Sequence, residues 1–486
     1  MLSIFLNNRS CSFRLANSIK HKHYFNSFSV VETRGDEAQN QLNDIVKTVS
    51  ELNRSQKAAV MADPFGVSRC IAGPGSGKTR VLTCRVLVLL GVVKDPPRAI
   101  MALTFTNKAG EEMRKRLTTL LDEKIVQQIT VGTFHSVSAR ILRTVGRDYL
   151  KALTNSDTVD SNFVIYDQTD CANIIKRLMK KYGECDRDWR ESSVLAAMKS
   201  IKQELIMNMH LSSSSQKSAM RKFAWNVLGE YEDELYSNNA LDFDDLLLLC
   251  WKLMREYPAA LEILKSRYQH VLVDEYQDTN TPQYEMIKLL SDTSTSPSSL
   301  SDRGHMDSEE RGIDRNKKNR SLFVVGDINQ AIYGWRGAVP ENINRLQDTF
   351  PAMVTYELKE NYRSDPPITA VANALLRKTV TTSIHSNPTV AARAASGGQF
   401  EPVRIVETKD GNNQAAFIID RIKKLKLADV AILYRTNAQS REIEVSRGQG
   451  SPVASQPDTI SRGTRECTLY MHLLIYRPSV FPLRRL

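Results

Sequence analysis

The sequence predicts an α/β fold built on a parallel sheet, and three observations carry that expectation. Apolar segments near Ser68–Ala72, Ala99–Phe105, Gln128–Phe134, Val271–Asp274 and Leu322–Asp327 read as strands, with helical runs between them. A glycine-rich turn, AGPGSGKT from Ala72 to Thr79, joins the first strand to a helix-like run. Much later in the chain, the strand Val271–Val273 ends in paired acids, Asp274 and Glu275, within VLVDEYQDTN.

Each element has a chemical reason. The turn Ala72, Gly73, Pro74, Gly75, Ser76, Gly77, Lys78, Thr79 can wrap backbone N–H groups around phosphates. Lys78 then reaches the outer phosphates, and the Thr79 hydroxyl can sit on a magnesium ion. The later strand delivers Asp274 towards that metal and Glu275 towards an attacking water. A glycine-rich turn alone is often only a turn, and here its first position is Ala72 rather than glycine. Both segments together, in this order and each after an apolar strand, point to ATP hydrolysis.

Length and composition set limits. At 486 residues the chain can hold two or three domains with substantial cores. It has 41% apolar residues but no uncharged apolar run of membrane-spanning length, and even Val81–Val93 is broken by Arg85. The 7 cysteines include no Cys-x-x-Cys pair, which argues against a disulfide framework, a zinc ribbon or an iron–sulfur cluster and for a reducing, intracellular setting. The net charge of +11 sits mostly at the two ends, in residues 1–31 and 447–486, so nucleic-acid binding has to rest on particular residues. The acid-free leader carries Arg9, Arg14, Lys20 and Lys22 among serines, in the manner of an organelle transit peptide, with an ordinary disordered leader as the alternative. Nucleus and organelle both stay open as destinations.

The strand–helix alternation stops between His135 and Leu241. Helical runs take over at Asp170–Lys181, Arg190–Gln203 and Ser218–Tyr236, which predicts a helical subdomain inserted between strands. Ser291–Arg320 has almost no large apolar residues and reads as a mobile loop. A second α/β unit is expected to begin around Tyr356, with strands near Val403–Glu407 and Val430–Tyr434.

With the motifs in order, the chain resembles the UvrD/Rep/PcrA-like helicases of superfamily 1, over roughly residues 50 to 445. The carriers are LNRSQKAAV, AGPGSGKTR, LTFTNKAGEEM, VGTFHS, LDFDDLL, VLVDEYQDTN, VGDINQAIYGWRGA and LKENYRS. The resemblance implies an ATP-driven motor moving 3′ to 5′ on single-stranded DNA, with single-stranded or 3′-tailed duplex DNA as partner, ATP and Mg2+ as cofactors, and a role in repair or recombination. It implies that Gln56 reads the adenine edge, that Arg80 lies beside the base and that Tyr362 stacks on it. It implies that Gln330 senses the γ-phosphate and that Arg363 reaches that phosphate as an arginine finger. Phe105, Thr133, His135, Tyr333, Trp335 and Arg336 would face DNA, with Trp335 and Phe105 as stacking platforms that tolerate any base. Where many relatives have a further acid, this chain has Ile328 and Asn329 before Gln330, while Asp327 and Gln330 are kept.

The implied architecture is a RecA-like P-loop NTPase domain with an inserted helical subdomain, followed by an incomplete second RecA-like domain. Its expected parts are a leader, 1–45; the first RecA-like ATP-binding domain, 46–138 and 237–350, with the mobile insert 291–320; the helical subdomain, 139–236; the partial second domain, 351–445; and a divergent tail, 446–486. The resemblance stops after AILYRTNAQSREIE, and the tail has neither helical nor strand periodicity. A changed reading frame, an alternative splice end and a genuine divergent tail all fit it. The chain as written is therefore expected to lack part of the motor. Two further readings stand beside the helicase: a product that binds ATP and single-stranded DNA without unwinding, and a phosphate-loop ATPase acting on protein partners.

Overall fold

The computed structural model describes residues 45–183, 189–207, 218–292, 320–334, 337–379, 388–392, 400–425, 432–434, 439 and 443. The expected leader (all but residue 45), the serine-rich insert apart from its ends, and the tail lie outside the described residues. The chain divides into two compact units, Met1–Glu360 and Asn361–Leu486.

The first unit is organised by a six-stranded sheet. Its strands are β1 (Val67–Ala72), β2 (Ile100–Thr104), β3 (Thr130–Thr133), β6 (His270–Val273), β7 (Ser321–Gly326) and β8 (Val354–Leu358), in the order β3-β2-β6-β7-β1-β8. Two short strands, β4 (Val164–Ile165) and β5 (Ala240–Leu241), pair in parallel elsewhere and tie the start of the helical insert to its end. Every pairing in the main sheet is parallel, so all its carboxyl ends share one edge. Strands β2, β6 and β7 are wholly buried, as expected when helices cover both faces of a parallel sheet.

Successive side chains point to opposite faces, and two cores result. Ile100, Ala102, Leu272, Phe323 and Val325 face one cluster, completed by α1 (Arg54–Val60), α2 (Lys78–Val88), α3 (Asn107–Thr118) and α4 (Glu123–Gln128). Met101, Leu103, Val271, Val273, Leu322 and Val324 face the other, with α5 (Phe134–Arg143) packed against it. That second cluster runs on through α6 (Leu150–Thr154), α7 (Gln168–Tyr182), α8 (Glu191–Ile206), α9 (Ala219–Ser237) and α10 (Phe243–Glu256). It also takes in α11 (Pro258–Arg267), α12 (Thr281–Ser291) and α13 (Asn342–Thr349). The helical insert therefore shares its core with the sheet.

Two expectations need correction. A second α/β unit is expected to begin around Tyr356, but the residues there form the sixth strand of the first sheet: Ser68 to Ala72 pair with Val354 to Leu358. An exposed, polar-facing edge strand carries little apolar signal of its own, which hid its partner. Val403–Glu407 forms no strand, and Ile405 is 78% exposed. β-branched residues alone do not make a strand without a neighbour to complete the ladder. Ile432–Tyr434 are in no strand either, while Val430 and Ala431 lie outside the described residues. In the second unit the described elements include α14 (Pro366–Thr379), the short strand Val390–Ala391 and α15 (Gly411–Leu425).

Candidate functional site

The glycine-rich turn spans the end of β1 and the start of α2. Gly75 and Gly77 have φ of 68° and 89°, the left-handed region that glycine enters without cost. The Ser76 hydroxyl closes the turn by donating to the Gly73 carbonyl at 2.7 Å. Gly77 precedes α2 and no side chain caps that helix, so its first N–H groups and positive dipole end point into the turn. Ala72, the departure from glycine, is the last residue of β1 and packs its methyl group in the core.

Gln56 holds the turn from beneath. It is buried; its amide nitrogen donates to the Ser76 carbonyl at 2.8 Å, and its amide oxygen accepts from Asn53 N–H as half of a capping box on α1. A Cβ on Gly77 would lie 2.8 Å from that amide nitrogen, a second reason for glycine there. The far end of α1 is fixed by Arg85 of α2. Its guanidinium donates to the carbonyls of Val60, Ala62 and Asp63 and lies over the Phe323 ring, and burial lowers it to about 10. Arg80 is half exposed and paired with Glu51 at 3.2 Å.

The acids meet the turn across the carboxyl edge of the sheet. β7 lies between β1 and β6, so roughly 10 Å separates the strands that lead to Lys78 and Glu275. The long lysine side chain crosses that gap. Lys78 Nζ donates to Glu275 Oε2 at 3.0 Å and to Gln330 Oε1 at 3.0 Å, and Gln330 Nε2 donates to Asp327 Oδ2 at 2.8 Å. Glu275 has φ of 47°, strained for a residue with a side chain, and such strain clusters at functional sites. Burial first, then the neighbouring Glu275, pushes the Asp274 carboxyl up to about 7 against the opposing Lys78. Burial also pushes Asp278 up to about 7 and raises Asp327. Four acids thus share one ammonium group, an arrangement that a cation accompanying phosphates would balance.

The residues proposed to meet DNA start from the same edge. Phe105 follows β2 and is half-buried, with its ring centroid 4.5 Å from that of Tyr333. Tyr333 itself is only 4% exposed, so it supports Phe105 rather than presenting a free face of its own. Thr133 caps α5 by accepting from Ser136 N–H, and His135 sits edge-on to Phe243, with centroids 5.7 Å apart. Trp335 and Arg336 lie outside the described residues. In the second unit, Asn361 Oδ1 accepts from the N–H groups of Arg363 and Ser364, and the turn leaves Tyr362 and Arg363 exposed.

Two positions escaped the sequence reading. Phe243 is 48% exposed beside His135, and its place within LDFDDLL was the available signal. Gln277 is fully buried among Glu275, Asp278 and Asp327; it stood in plain view within VLVDEYQDTN, but only its packing marks it.

Comparison with known proteins identifies the family. Residues 52–351 match the UvrD/REP helicase N-terminal domain, and residues 356–447 match the UvrD-like helicase C-terminal domain. Among curated proteins, the ATP-dependent DNA helicase PcrA of Staphylococcus epidermidis is 34% identical over 404 residues, covering 82% of this chain and 49% of that protein. The protein of the same name from Leuconostoc citreum is 31% identical over 408 residues, with the same coverage of each chain, and that of Staphylococcus aureus is 34% identical over 404. The chain spans about half the length of the curated relatives it matches. Among the described residues no helix is long and apolar enough to cross a membrane. With the N-terminal model matching well over half of its residues, this chain belongs to the UvrD/REP helicase family.

Proposed function

We propose that the chain is an ATP-hydrolysing motor unit that acts on single-stranded or 3′-tailed DNA, with 3′-to-5′ movement taken from the family resemblance. The observation that carries this is the hydrogen-bonded cluster of Lys78, Glu275 and Gln330, drawn from three separate loops onto one edge of the sheet. In this reading the N–H groups at the start of α2 and the Lys78 ammonium bind the phosphates. Phosphates that engage Lys78 compete with Glu275 and Gln330 for the same ammonium. Glu275 is then free to accept a proton from the attacking water, and Gln330 is free to follow the γ-phosphate.

Magnesium fits the donors. Thr79 and Asp274 supply hard oxygen ligands beside the phosphate turn, and among the described residues no group of three His, Cys, Asp or Glu could hold a metal by itself. Magnesium characteristically takes one or two carboxylates together with substrate phosphates rather than an all-protein cage. When bound, it would offset charge on the phosphate oxygens.

The test is ATP turnover by the purified chain with and without single-stranded DNA, beside Lys78→Ala. Turnover stimulated by DNA is expected. Lys78→Ala should remove most affinity for a fluorescent ATP analogue, because the other cation near the turn, Arg80, is drawn to Glu51. Equal analogue binding by the two proteins would refute the phosphate site. Turnover indifferent to DNA would instead favour an ATPase working on protein partners.

DNA binding should be independent of sequence and fall steeply with salt, since backbone phosphates supply most of the attraction. Phe105→Ala should weaken it by about 1–3 kcal/mol if that ring stacks on a base. A fluorescence-anisotropy titration of an oligothymidine reads both effects. An unchanged affinity for Phe105→Ala would remove that residue from the interface.

A further inference from the structure

The side chain of Gln277 sits where the acid loop after β6 meets the loop after β7, in the one-turn helix Tyr276–Asp278. Its amide nitrogen donates to Glu275 Oε2 at 2.8 Å and to Asp278 Oδ2 at 3.3 Å, which uses both of its N–H bonds. Its amide oxygen accepts from Asp327 N–H at 3.0 Å. A Cβ at Gly326 would lie 2.6 Å from that oxygen, so only glycine leaves room for the amide. The contacts extend outward in two directions. Asp327 holds Gln330, and Asp278 Oδ1 accepts from Ile332 N–H, the residue before the Tyr333 ring that supports Phe105.

Glu275 Oε2 has two donors, Lys78 and Gln277. Phosphates can draw Lys78 away; they cannot reach an amide that is fully buried. We infer that Gln277 is the positioning residue that keeps the Glu275 carboxylate aimed while Lys78 serves the phosphates, and that it joins this carboxylate to the Asp327–Tyr333 segment as one hydrogen-bonded unit. This rests on the ATPase reading above. Gln277 touches neither phosphate nor water in this account, so its loss slows the chemical step and blunts its response to DNA without loosening nucleotide.

Two substitutions in the full 486-residue chain test it. Gln277→Met keeps length and apolar bulk but removes every hydrogen bond. Gln277→Glu keeps an acceptor for Asp327 N–H while turning the donor to Glu275 into a like charge. Steady-state turnover with and without oligothymidine, the KM for ATP, the dissociation constant of a fluorescent ATP analogue and the melting temperature are measured for parent, both variants and Lys78→Ala. In both Gln277 variants kcat should fall about tenfold or more, and the ratio of DNA-stimulated to basal turnover should fall with it. KM and analogue affinity should stay within about threefold, the pattern of an interaction that matters only in the transition state.

A purely structural role would move kcat, KM and melting temperature together, and that result overturns the inference. So does turnover within about twofold of the parent in either variant. Should Lys78→Ala abolish analogue binding while the Gln277 variants behave like the parent, this inference alone fails. If the parent neither turns over ATP nor loses analogue binding through Lys78→Ala, the functional reading fails and this one with it.

Discussion

Glu275→Gln should leave nucleotide binding intact and slow hydrolysis by about 10²- to 10⁴-fold, the usual contribution of a positioned general base. Affinity is spared for a geometric reason. The carboxylate contacts the Lys78 ammonium, and removing its charge frees that ammonium for phosphates rather than weakening it. The backbone is spared as well, because glutamine meets the left-handed φ of 47° with the same side-chain branching as glutamate. Chemistry is not spared, since an amide cannot take a proton from water. Single-turnover hydrolysis with saturating oligothymidine, alongside the analogue dissociation constant, separates the two effects. Parent-like hydrolysis would exclude Glu275 as the base, and a comparable loss of binding would make its role electrostatic.

How much of this site the sequence revealed depended on how locally each part is encoded. The glycine-rich turn is local: its glycines answer to left-handed φ at Gly75 and Gly77, and its lysine follows at once. The acids were legible because a wholly buried strand, His270–Val273, delivers them at its end. Gln56 shows the limit of such reading. The residue is where the motif puts it, yet its amide is bonded to the Ser76 carbonyl and to Asn53 N–H, which no linear pattern announces. The family resemblance puts Tyr333 among the residues facing DNA, and its burial against Phe105 depends on how the loops after β2 and β7 meet.

The fold was legible where segments are apolar on both faces and illegible at the margins. β2, β6 and β7 are buried at every position, and all three appear in the sequence as apolar runs with one polar residue at an end, Thr104, His270 and Ser321 respectively. β8 is an edge strand whose first two residues are exposed, and the sequence offers no sign that it pairs with β1 rather than opening a new sheet. Val403–Glu407 has the composition of a strand and none of the pairing. Strand pairing is a property of neighbours, and a neighbour distant in sequence leaves no local trace.

The largest stability effect is expected far from the phosphate turn, at Lys202. Its ammonium, 3% exposed on α8, contacts Asp245 and lies 3.7 Å from Asp242 and 3.3 Å from Glu232. The two aspartates form the capping box of α10, and Tyr231 donates to Asp242 Oδ2 at 3.0 Å. Burial opposes the charge on Lys202, but Asp242 and Asp245 outweigh it and hold the ammonium well above the ordinary lysine value. Burial, then Asp242, pushes Asp245 up to about 7, while Lys202 and the Asp245 N–H hold Asp242 below its ordinary value despite burial. Lys202→Met would strand buried carboxylates at the start of α10, and breaking a buried pair this way costs about 3–5 kcal/mol. The sign of the pH dependence follows from the shift. A carboxyl raised from about 3.9 in the unfolded chain binds its proton more tightly when folded, so its contribution to stability declines as pH rises through that window to about 7. Without Lys202 the carboxyls rise further, and the variant's deficit should be larger at pH 8 than at pH 5, where Asp245 is already protonated. Urea unfolding at both pH values reads this, and adding Asp245→Asn to Lys202→Met should recover much of the loss because the amide oxygen can still cap. A Lys202→Met midpoint equal to the parent's at pH 8 would show that the cluster is not a buried ion network. A deficit without that pH dependence would assign the loss to packing. The consequence reaches the candidate DNA face, because this cluster fixes the start of α10, whose first residue, Phe243, packs edge-on against His135.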